Sequence, residues 1–356
     1  MNRRHLIAGG AAICATSALG NTALTKTPAG LFVPPEEDRH ERTFMQWPVN
    51  RQVHPERAFL DILQQTIADI ANTIVEFEPV TLLMAKEDQK RARSLISEAV
   101  EIWNTPTEDL WCRDSGPLFA KLPNGKRVVS HLQFNGWGAK QVHKRDGRVA
   151  VEIAERLGIP LLASGLKGEA GGVEHDGHGL LMAHESSWVN KNRNPGMSRG
   201  EIEKRLLAAY GAERMIWSPG VWGEDITDYH IDSLARFTGP GRVLINLPDK
   251  PDMKDPFHIA ALDTHDKLVA AKLEVEVIPE PERRRVKSID FVASYANYYV
   301  CNGGVVAAQF GDREGDKIAL KALKKHYPGR EVVTLNIDVL GEVGGGIHCA
   351  TQQMPA

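Results

Sequence analysis

The chain has 356 residues, of which 42% are hydrophobic and 25% charged, and its formal net charge is −3. This composition is typical of a globular protein with one large or two modest domains. The nearly neutral charge argues against a nucleic-acid or membrane-surface partner. The sequence also lacks an apolar run of the ~18 residues that a membrane-spanning helix requires.

The first twenty residues differ in composition from the rest. Arg3 and Arg4 precede an apolar stretch rich in alanine and glycine that runs from Leu6 to about Leu19. This pattern resembles a twin-arginine export signal, so we expect residues 1–30 to be a leader, cleaved between Ala18 and Gly30. The mature protein would then be periplasmic or secreted, with no membrane partner. A disordered or membrane-tethered N-terminus is the alternative interpretation.

The cysteines are few. Cys14 lies within the leader, which leaves Cys112, Cys301 and Cys349 in the mature chain. Such an odd and sparse set is not a disulfide framework, so one of the three is a candidate for a free reactive thiol. Cys349 follows the stretch GGGIH. A buried structural cysteine does not need a run of glycines before it, whereas a cysteine that must be presented to a ligand does. We call this run of three glycines the glycine approach.

After the leader, similar units follow one another. A helix-period stretch from Pro55 to about Glu76 (with Phe59, Ile62, Leu63, Ile67, Ile70 and Ile74) precedes an apolar strand at 80–85. The second unit is predicted as the hairpin GPLFAKL–RVVSHLQF with its Pro123-Asn124-Gly125 turn, a helix over 147–157 and the strand IPLLAS. The third unit consists of HGLLMAHES, a helix opened by Ser198 with Glu201 at the capping-box position, and the strand RMIWS. The fourth unit is the hairpin SLARFTGPGRVLINL, a helix near 256–273 and the strand VEVIP, and the fifth is ANYYVCNGGVVAAQF, a helix near 314–326 and the strand EVVTLNI.

The order hairpin, helix, strand thus recurs, and it predicts an α/β fold built as a ring of similar units in a single domain over residues 31–356. The first unit is incomplete, and the C-terminal tail could supply what it lacks. A doubly wound α/β sheet is the alternative, because strand–helix alternation alone also allows it. The recurring hairpins favour the ring.

Chemically reactive side chains stand just before the hairpins of these units. They are Asp114 in WCRDSGP, Glu169 and Glu174 in GEAGGVEHDGHG, His230 and Asp232 in DITDYHIDSLARF, and Cys349 in GGGIHC. In a closed ring, corresponding points converge at one end of the central axis. We therefore expect acidic groups, a histidine and a thiol to meet in one pocket.

Each of these residues also has a structural interpretation. Asp114 could cap a turn, and half-buried histidines such as His230 usually satisfy core hydrogen bonds. The run His175, Asp176 and His178 resembles a set of metal ligands, but its glycines suit a surface turn and we expect no metal site. A lone cysteine is most often an inert small hydrophobe.

A thiol near a histidine is typical of covalent catalysis, in which the histidine acts as acid and base. Two carboxylates beside the thiol would oppose the oxyanion of a cysteine peptidase, but they suit a cationic substrate. A guanidinium is planar and carries five N–H donors, which two carboxylates can bind from different sides. Its carbon would then be held over the sulfur, where orientation removes much of the barrier.

The residues from about Pro35 to Pro355 resemble the agmatine deiminase and bacterial peptidylarginine deiminase family, which belongs to the guanidino-group-modifying superfamily. The resemblance is carried by the segments HERTFMQWP, WCRDSGP, NKNRNP, HIDSLARF, YANYYVCNGGVVAAQFGD and GGGIHCATQQMP. The last two are long and specific. The resemblance implies a five-bladed α/β-propeller fold, no metal and no organic cofactor, and a small cationic guanidino substrate. A homo-oligomer is left open.

The resemblance also implies roles for individual residues. These are a nucleophilic Cys349, a general acid and base His230, guanidinium-binding Asp114 and Asp232, Glu169 as a further substrate-binding residue, and Trp47 and Trp111 as pocket walls. Two positions depart from the family pattern. Tyr229 stands where agmatine deiminases usually have glycine, and Ala170 replaces the first glycine after the glutamate.

The implied reaction begins with attack of the Cys349 thiolate on the guanidinium carbon while His230 protonates the departing ammonia. Water then releases a ureido product from the S-alkylthiouronium intermediate. The expected substrate is agmatine, giving N-carbamoylputrescine, and a peptidylarginine deiminase is the main alternative. An amidinotransferase, a papain-like cysteine peptidase and a non-catalytic binding module are the other readings that stay open.

Overall fold

A computed structural model describes residue 24, residues 26–288 and residues 290–356. The twin-arginine prediction and Cys14 fall on residues 1–23, outside the described residues. The helices are α1 (Arg57–Ile74), α2 (Gln89–Arg93), α3 (Cys112–Ser115), α4 (Gly136–Ala139), α5 (Val149–Leu157), α6 (Glu185–Trp188), α7 (Arg199–Tyr210), α8 (Pro256–Ala270), α9 (Arg313–His326), α10 (Asp338–Glu342) and α11 (Ile347–Ala350).

The strands are β1 (His40–Gln46), β2 (Val80–Met84), β3 (Glu101–Asn104), β4 (Leu118–Lys121), β5 (Arg127–His131), β6 (Leu161–Ala163), β7 (Val173–His175), β8 (Leu180–His184), β9 (Arg214–Ser218), β10 (Ala235–Gly239), β11 (Arg242–Leu247), β12 (Glu274–Pro279), β13 (Tyr299–Cys301), β14 (Gly304–Gln309), β15 (Glu331–Asn336) and β16 (Thr351–Pro355). Within the described residues they form five small sheets, ordered β16-β1-β2-β3, β4-β5-β6, β7-β8-β9, β10-β11-β12 and β13-β14-β15.

Each sheet begins with an antiparallel pair followed by a parallel pair, and the first sheet adds a second parallel pair, β2 with β3. In every sheet a helix lies between the two parallel strands in the chain, as a parallel connection requires. The protein is therefore a mixed α/β fold of several small sheets. A single doubly wound sheet, the alternative from sequence, is excluded.

The incomplete first unit is completed by the end of the chain. β16 pairs antiparallel with β1, with His40 opposite Pro355 and Thr43 opposite Gln353. The prediction that the C-terminal tail supplies the missing strand is confirmed. β3, which extends this sheet to four strands, was not predicted.

Local sequence signals account for the main helices. Ser198 and Glu201 form the predicted capping box at the start of α7, and Gly211 ends this helix in a left-handed conformation. α1 buries the apolar face that contains Leu63, Ile67 and Ile70. Ile62, which the periodicity assigned to that face, is instead 58% exposed.

A short helical turn or loop precedes the first strand of each sheet, and these segments lie close together. α3 before β4 contacts α11 before β16, and the turn at Ala170–Gly172 before β7 contacts the turn at Ile231–Ser233 before β10. β16 also contacts β4, and β7 contacts β10. The predicted convergence of corresponding points is thus confirmed for these four units.

A residue that precedes the predicted domain start at residue 31 pairs with a strand of the fold. The main chain of Leu24 donates to the Leu161 carbonyl (2.7 Å) and accepts from Ala163 (3.3 Å), which adds a bridge to β6. No helix in the described part of the chain has both the length and the apolarity that a membrane span needs.

Candidate active site

Cys349 lies in the short helix α11 and is half-buried. The glycines before it are required by close packing. A Cβ atom on Gly345 would lie 2.5 Å from the Trp111 ring, and one on Gly346 would lie 2.5 Å from the carboxamide oxygen of Asn297. The glycine approach therefore lets Trp111 and Asn297 pack directly against the segment that carries the thiol.

The sulfur contacts an amide and a carboxylate. Asn297 Nδ2 donates to Cys349 Sγ at 3.0 Å, and Sγ lies 3.5 Å from Asp232 Oδ2. Burial, together with the negative charges of Asp232 and Asp114, raises the pKa of the Cys349 thiol well above its ordinary value. The unliganded protein therefore holds a neutral thiol. A papain-like peptidase instead pairs its cysteine with a histidine.

His230 lies between two carboxylates. Its Nδ1 is 3.7 Å from Asp114 Oδ2, and its Nε2 is 3.3 Å from Glu169 Oε2. Burial alone would lower the pKa of His230, but Asp114 and Glu169 outweigh it and raise this pKa to about 9. His230 is therefore an imidazolium at neutral pH, which makes it an acid able to protonate a leaving group.

Asp114 comes from α3 and is 7% exposed. Its Oδ2 accepts from Trp137 Nε1 at 2.8 Å, and its Oδ1 accepts from the Gly171 main chain at 3.2 Å. Burial raises the pKa of Asp114 to about 6; His230 lowers it, and the charges of Glu169 and Asp232 raise it further. Ionisation of Asp114 is therefore unfavourable in the empty site, and a bound cation would make it more favourable.

Gly171 shows how closely these groups converge. A Cβ atom at this position would lie 2.7 Å from Asp114 Oδ1, 2.9 Å from His230 Nδ1 and 3.1 Å from Asp232 Oδ2. Groups from two units, Asp114 before β4 and the pair His230 and Asp232 before β10, therefore converge on the Gly171 segment of a third unit.

Asp232 is completely buried, yet one of its oxygens is free. Its Oδ2 accepts from His348 Nδ1 at 2.8 Å, whereas Oδ1 has no hydrogen-bond partner. Burial opposes ionisation, but the hydrogen bond and charge of His348 hold the pKa of Asp232 below its usual value. An ionised, buried and unpartnered oxygen beside a thiol is an acceptor available to a ligand N–H.

Glu169 has no such free oxygen. Arg193 Nε donates to both of its oxygens, at 3.0 and 2.8 Å, and Arg193 Nη1 also donates to Asp228 at 2.7 Å. Burial opposes ionisation, but Arg193 keeps the pKa of Glu169 below its usual value. These contacts place Glu169 behind His230, where it orients the ring, rather than at the free oxygen of Asp232.

The two tryptophans predicted as pocket walls have different surroundings. Trp111 is 7% exposed and its ring packs against Gly345 beside Cys349. Trp47 is fully buried in the hydrophobic core, and its carbonyl accepts from Thr107. The structure thus brings Trp111 to the site and leaves Trp47 in the core.

Glu174, which the sequence placed with the pocket acids, belongs to a different cluster. It lies on β7, and its Oε1 is 2.8 Å from Arg236 Nε. The expectation that it meets Cys349 in the same pocket is wrong, because alternate residues of a strand point to opposite faces and β7 begins only at Val173.

Two further sequence features serve packing and turns. Asp176 Oδ1 accepts from the main chains of His178 and Leu180, which closes a turn, and the His175 ring packs on Tyr210. Tyr229 adopts a left-handed conformation (φ 66°) and stacks on His184 with ring centroids 4.6 Å apart.

Four residues of the site were not predicted as functional: Asn297, Trp137, Arg193 and His348. A signal existed for the first, because Asn297 precedes β13 as the other site residues precede their first strands. Arg193 lies in the NKNRNP segment, which the resemblance included without a role. Trp137 lies within the four-residue α4, where its φ of 54° is non-helical and makes the segment a tight turn. Such a turn has no periodic pattern to identify it.

Comparison with known proteins agrees with this geometry. A model of the Porphyromonas-type peptidyl-arginine deiminase family matches residues 32–355. A Streptomyces coelicolor protein named "Putative agmatine deiminase" is 33% identical over 334 residues, covering 91% of this chain and 98% of that protein. A Legionella pneumophila protein of the same name is 32% identical over 337 residues, covering 92% and 95%.

The fold matches as well. The solved agmatine deiminase of Enterococcus faecalis superposes with a TM-score of 0.85 at 26% identity, covering 93% of this chain and 98% of that one. Since the family model spans nearly all of the described residues and two relatives exceed 30% identity, the chain belongs to the Porphyromonas-type peptidyl-arginine deiminase family.

Proposed function

We propose that this protein hydrolyses a guanidino group to a ureido group and releases ammonia, with agmatine as the preferred substrate. The observation that carries the proposal is the buried, unpartnered Oδ1 of Asp232, whose other oxygen lies 3.5 Å from the Cys349 sulfur. A cationic ligand with N–H donors satisfies that oxygen and places its carbon near the thiol.

A guanidinium bound between Asp232 and Asp114 would change the ionisation of the nucleophile. Burial, together with the same two carboxylates, holds the Cys349 pKa high in the free protein. A cation between them and the sulfur offsets their charge, so the thiol loses its proton more easily when substrate is bound. Substrate binding and activation of the nucleophile are thereby coupled.

The chemistry then follows in two steps. The Cys349 thiolate forms a C–S bond to the guanidino carbon, and the His230 imidazolium gives its proton to the departing ammonia. The neutral imidazole next takes a proton from water, whose oxygen bonds to the same carbon. The C–S bond breaks, its electron pair returns to the sulfur, the remaining hydroxyl proton passes to solvent, and the neutral ureido product leaves. Glu169 keeps the imidazole oriented for both transfers.

The choice of agmatine rests on charge as well as on the names of the relatives. The site is rich in carboxylates, and the cations beside it are already paired. Arg193 binds Glu169 and Asp228, and Lys140 Nζ lies 2.8 Å from Asp228 Oδ2. A carboxylate on the substrate tail, as in free arginine, would be unfavourable near Asp114 and Asp232 unless it were paired.

A peptidylarginine substrate is the second candidate, because the family model carries that name. The test measures ammonia and ureido product from agmatine, arginine and a blocked arginine peptide at equal concentration. We expect the highest kcat/KM for agmatine. The highest value for the peptide would overturn the substrate choice, and transfer of the amidino group to an added amine without ammonia release would indicate an amidinotransferase.

We also infer that the five sheets are the blades of a five-bladed α/β-propeller. The shared strand order, the contacts between first strands of neighbouring sheets and the convergence of the segments before those strands support this arrangement. An experimental structure of the full chain would test it directly.

We further propose that the protein is exported through its twin-arginine leader. The bridge from Leu24 to β6 supports cleavage before Leu24, since Leu24 itself pairs with the folded domain. Changing both Arg3 and Arg4 to lysine should leave the precursor in the cytoplasm. A mature form that still reaches the periplasm would mean that the arginine pair plays no part in export.

A further inference from the structure

Asn297 is a buried amide that contacts both ends of the nucleophilic residue. Its side chain is 2% exposed. Nδ2 lies 3.0 Å from Cys349 Sγ, and Oδ1 accepts from the Cys349 main-chain N–H at 3.3 Å. One carboxamide therefore fixes both the backbone and the sulfur of Cys349.

The orientation of this amide follows from its neighbours. The main-chain N–H of Cys349 can only donate, so the carbonyl oxygen of Asn297 must face it. The main-chain oxygen of Asp232 can only accept, and Nδ2 lies 3.3 Å from it. One amide hydrogen thus goes to Asp232 and the other points to the sulfur.

The sulfur needs this donor because its surroundings are acidic. Five titratable groups surround the sulfur, either directly or through a neighbouring group. They are Asp232, Asp114, His230, Glu169 and His348. The nearest is the Asp232 carboxylate at 3.5 Å. Burial and the charges of Asp232 and Asp114 raise the pKa of Cys349, and the hydrogen bonds from the Gly346 main chain and the Asn297 amide oppose that rise.

We propose that Asn297 is a catalytic residue whose amide N–H stabilises the Cys349 thiolate before attack and again when the sulfur leaves the intermediate. In the first step, the sulfur electron pair forms the C–S bond to the guanidino carbon. In the second, that bond breaks and the pair returns to the sulfur, where the amide hydrogen stabilises it. The second role rests on the proposed hydrolase function, whereas the first does not.

The test is the pH dependence of Cys349 alkylation by iodoacetamide in the unliganded full chain. Cys112 and Cys301 are 0% and 1% exposed, and the labelled peptide is identified by mass. Asn297→Ala removes the donor, so the midpoint pH should rise by about one unit, the tenfold effect expected for a hydrogen bond to a charged group. Asn297→Asp keeps the size but adds a carboxylate, so its midpoint should rise further.

The matched control is Asn246→Ala. Asn246 Oδ1 accepts from the Tyr295 main chain at 3.1 Å, so this change loosens the same loop without removing the donor to the sulfur. We expect its midpoint to equal that of the wild type. Thermal unfolding checks each variant, and if Asn297→Ala does not fold, the isosteric Asn297→Asp decides.

An unchanged midpoint in the Asn297 variants overturns the proposal, and so does an equal shift in Asn246→Ala. Ammonia release from agmatine is measured on the same samples. A wild-type protein that releases none would refute the hydrolase function, while the alkylation midpoints would still decide whether Asn297 stabilises the thiolate.

Discussion

Two buried polar clusters lie on either side of His348, and their charges are paired differently. On the side away from the nucleophile, Glu36 contacts Arg113 Nη2 at 2.9 Å and Arg236 Nη2 at 3.0 Å. Burial opposes ionisation there, but Arg236, His348 and Arg113 hold the pKa of Glu36 well below its usual value. In this cluster Glu36 and Glu174 face two guanidinium groups.

The catalytic cluster is the opposite case. The pKa of Asp114 is raised to about 6 by burial and by the neighbouring carboxylates, and Asp232 Oδ1 has no partner. His348 links the two clusters, with Nδ1 on Asp232 and Nε2 3.1 Å from Glu36. The paired cluster balances its charges internally, whereas the cluster around Cys349 holds excess negative charge, as the proposed cationic substrate requires.

The most severe way to break the catalytic cluster is to remove its nucleophile. Cys349→Ser should lower kcat about ten-thousandfold, because a hydroxyl is a far poorer nucleophile at neutral pH, and should leave the fold intact. Ammonia release measures the effect. Cys112→Ser and Cys301→Ser are the controls, and loss of activity in either with retention in Cys349→Ser would place the nucleophile elsewhere.

Neutralising one acid in each cluster should separate stability from activity. Glu36→Gln leaves Arg113 and Arg236 without that carboxylate, so the free energy of unfolding should fall by about 3 kcal/mol. Asp114→Asn removes a repelled charge and should change stability by less than about 1 kcal/mol, while kcat/KM falls about a hundredfold. Denaturant unfolding and kinetics measure both. A large loss of stability in Asp114→Asn together with a large loss of kcat/KM in Glu36→Gln would contradict this assignment of the two clusters.

The pH dependence sharpens the same comparison. As pH falls through about 6, Asp114 gains a proton and no longer attracts the guanidinium. As pH rises through about 9, His230 loses the proton that the leaving ammonia needs. The contributions of these two groups to kcat/KM for agmatine should therefore form a bell, falling about tenfold per pH unit beyond each limb, superimposed on the rise with pH that ionisation of the Cys349 thiol causes. Asp114→Asn should abolish the acid limb, and a limb that persists in this variant must arise from another group.

The smallest effect concerns the tryptophans. Trp111→Phe alters the ring that packs beside Cys349 and should change KM for agmatine about fivefold. Trp47→Phe leaves a gap in the core, so it should lower the free energy of unfolding by about 1–2 kcal/mol without changing KM. A change in KM for Trp47→Phe as large as that for Trp111→Phe would restore Trp47 as a pocket wall.

The sequence was sufficient to predict the repeated units, the closing strand from the C-terminal tail, and the convergence of Asp114, His230, Asp232 and Cys349. These predictions succeeded because hairpin turns, capping residues and strand-first positions leave local patterns. The family membership is confirmed by the comparisons. The export signal and a homo-oligomer stay predictions.

The remaining features depend on contacts between residues distant in the chain. Sequence alone does not reveal that Arg193 occupies both oxygens of Glu169, because the two residues lie on different loops 24 positions apart. Nor does it reveal that Asp232 Oδ1 lacks a partner, since that depends on where every nearby donor points. Glu174 was misplaced because its face of β7 depends on where the strand begins.

The most direct test of the excess negative charge is calorimetric binding of agmatine to the inactive Cys349→Ser variant, alone and combined with Asp232→Asn. Because Asp232 offers a free oxygen to the guanidinium, we expect one agmatine per chain and about hundredfold weaker binding after the second change. Putrescine, a diamine without the guanidino group, should bind more weakly than agmatine to Cys349→Ser. Equal affinity for agmatine with and without the Asp232 carboxylate would contradict a guanidinium site above Cys349.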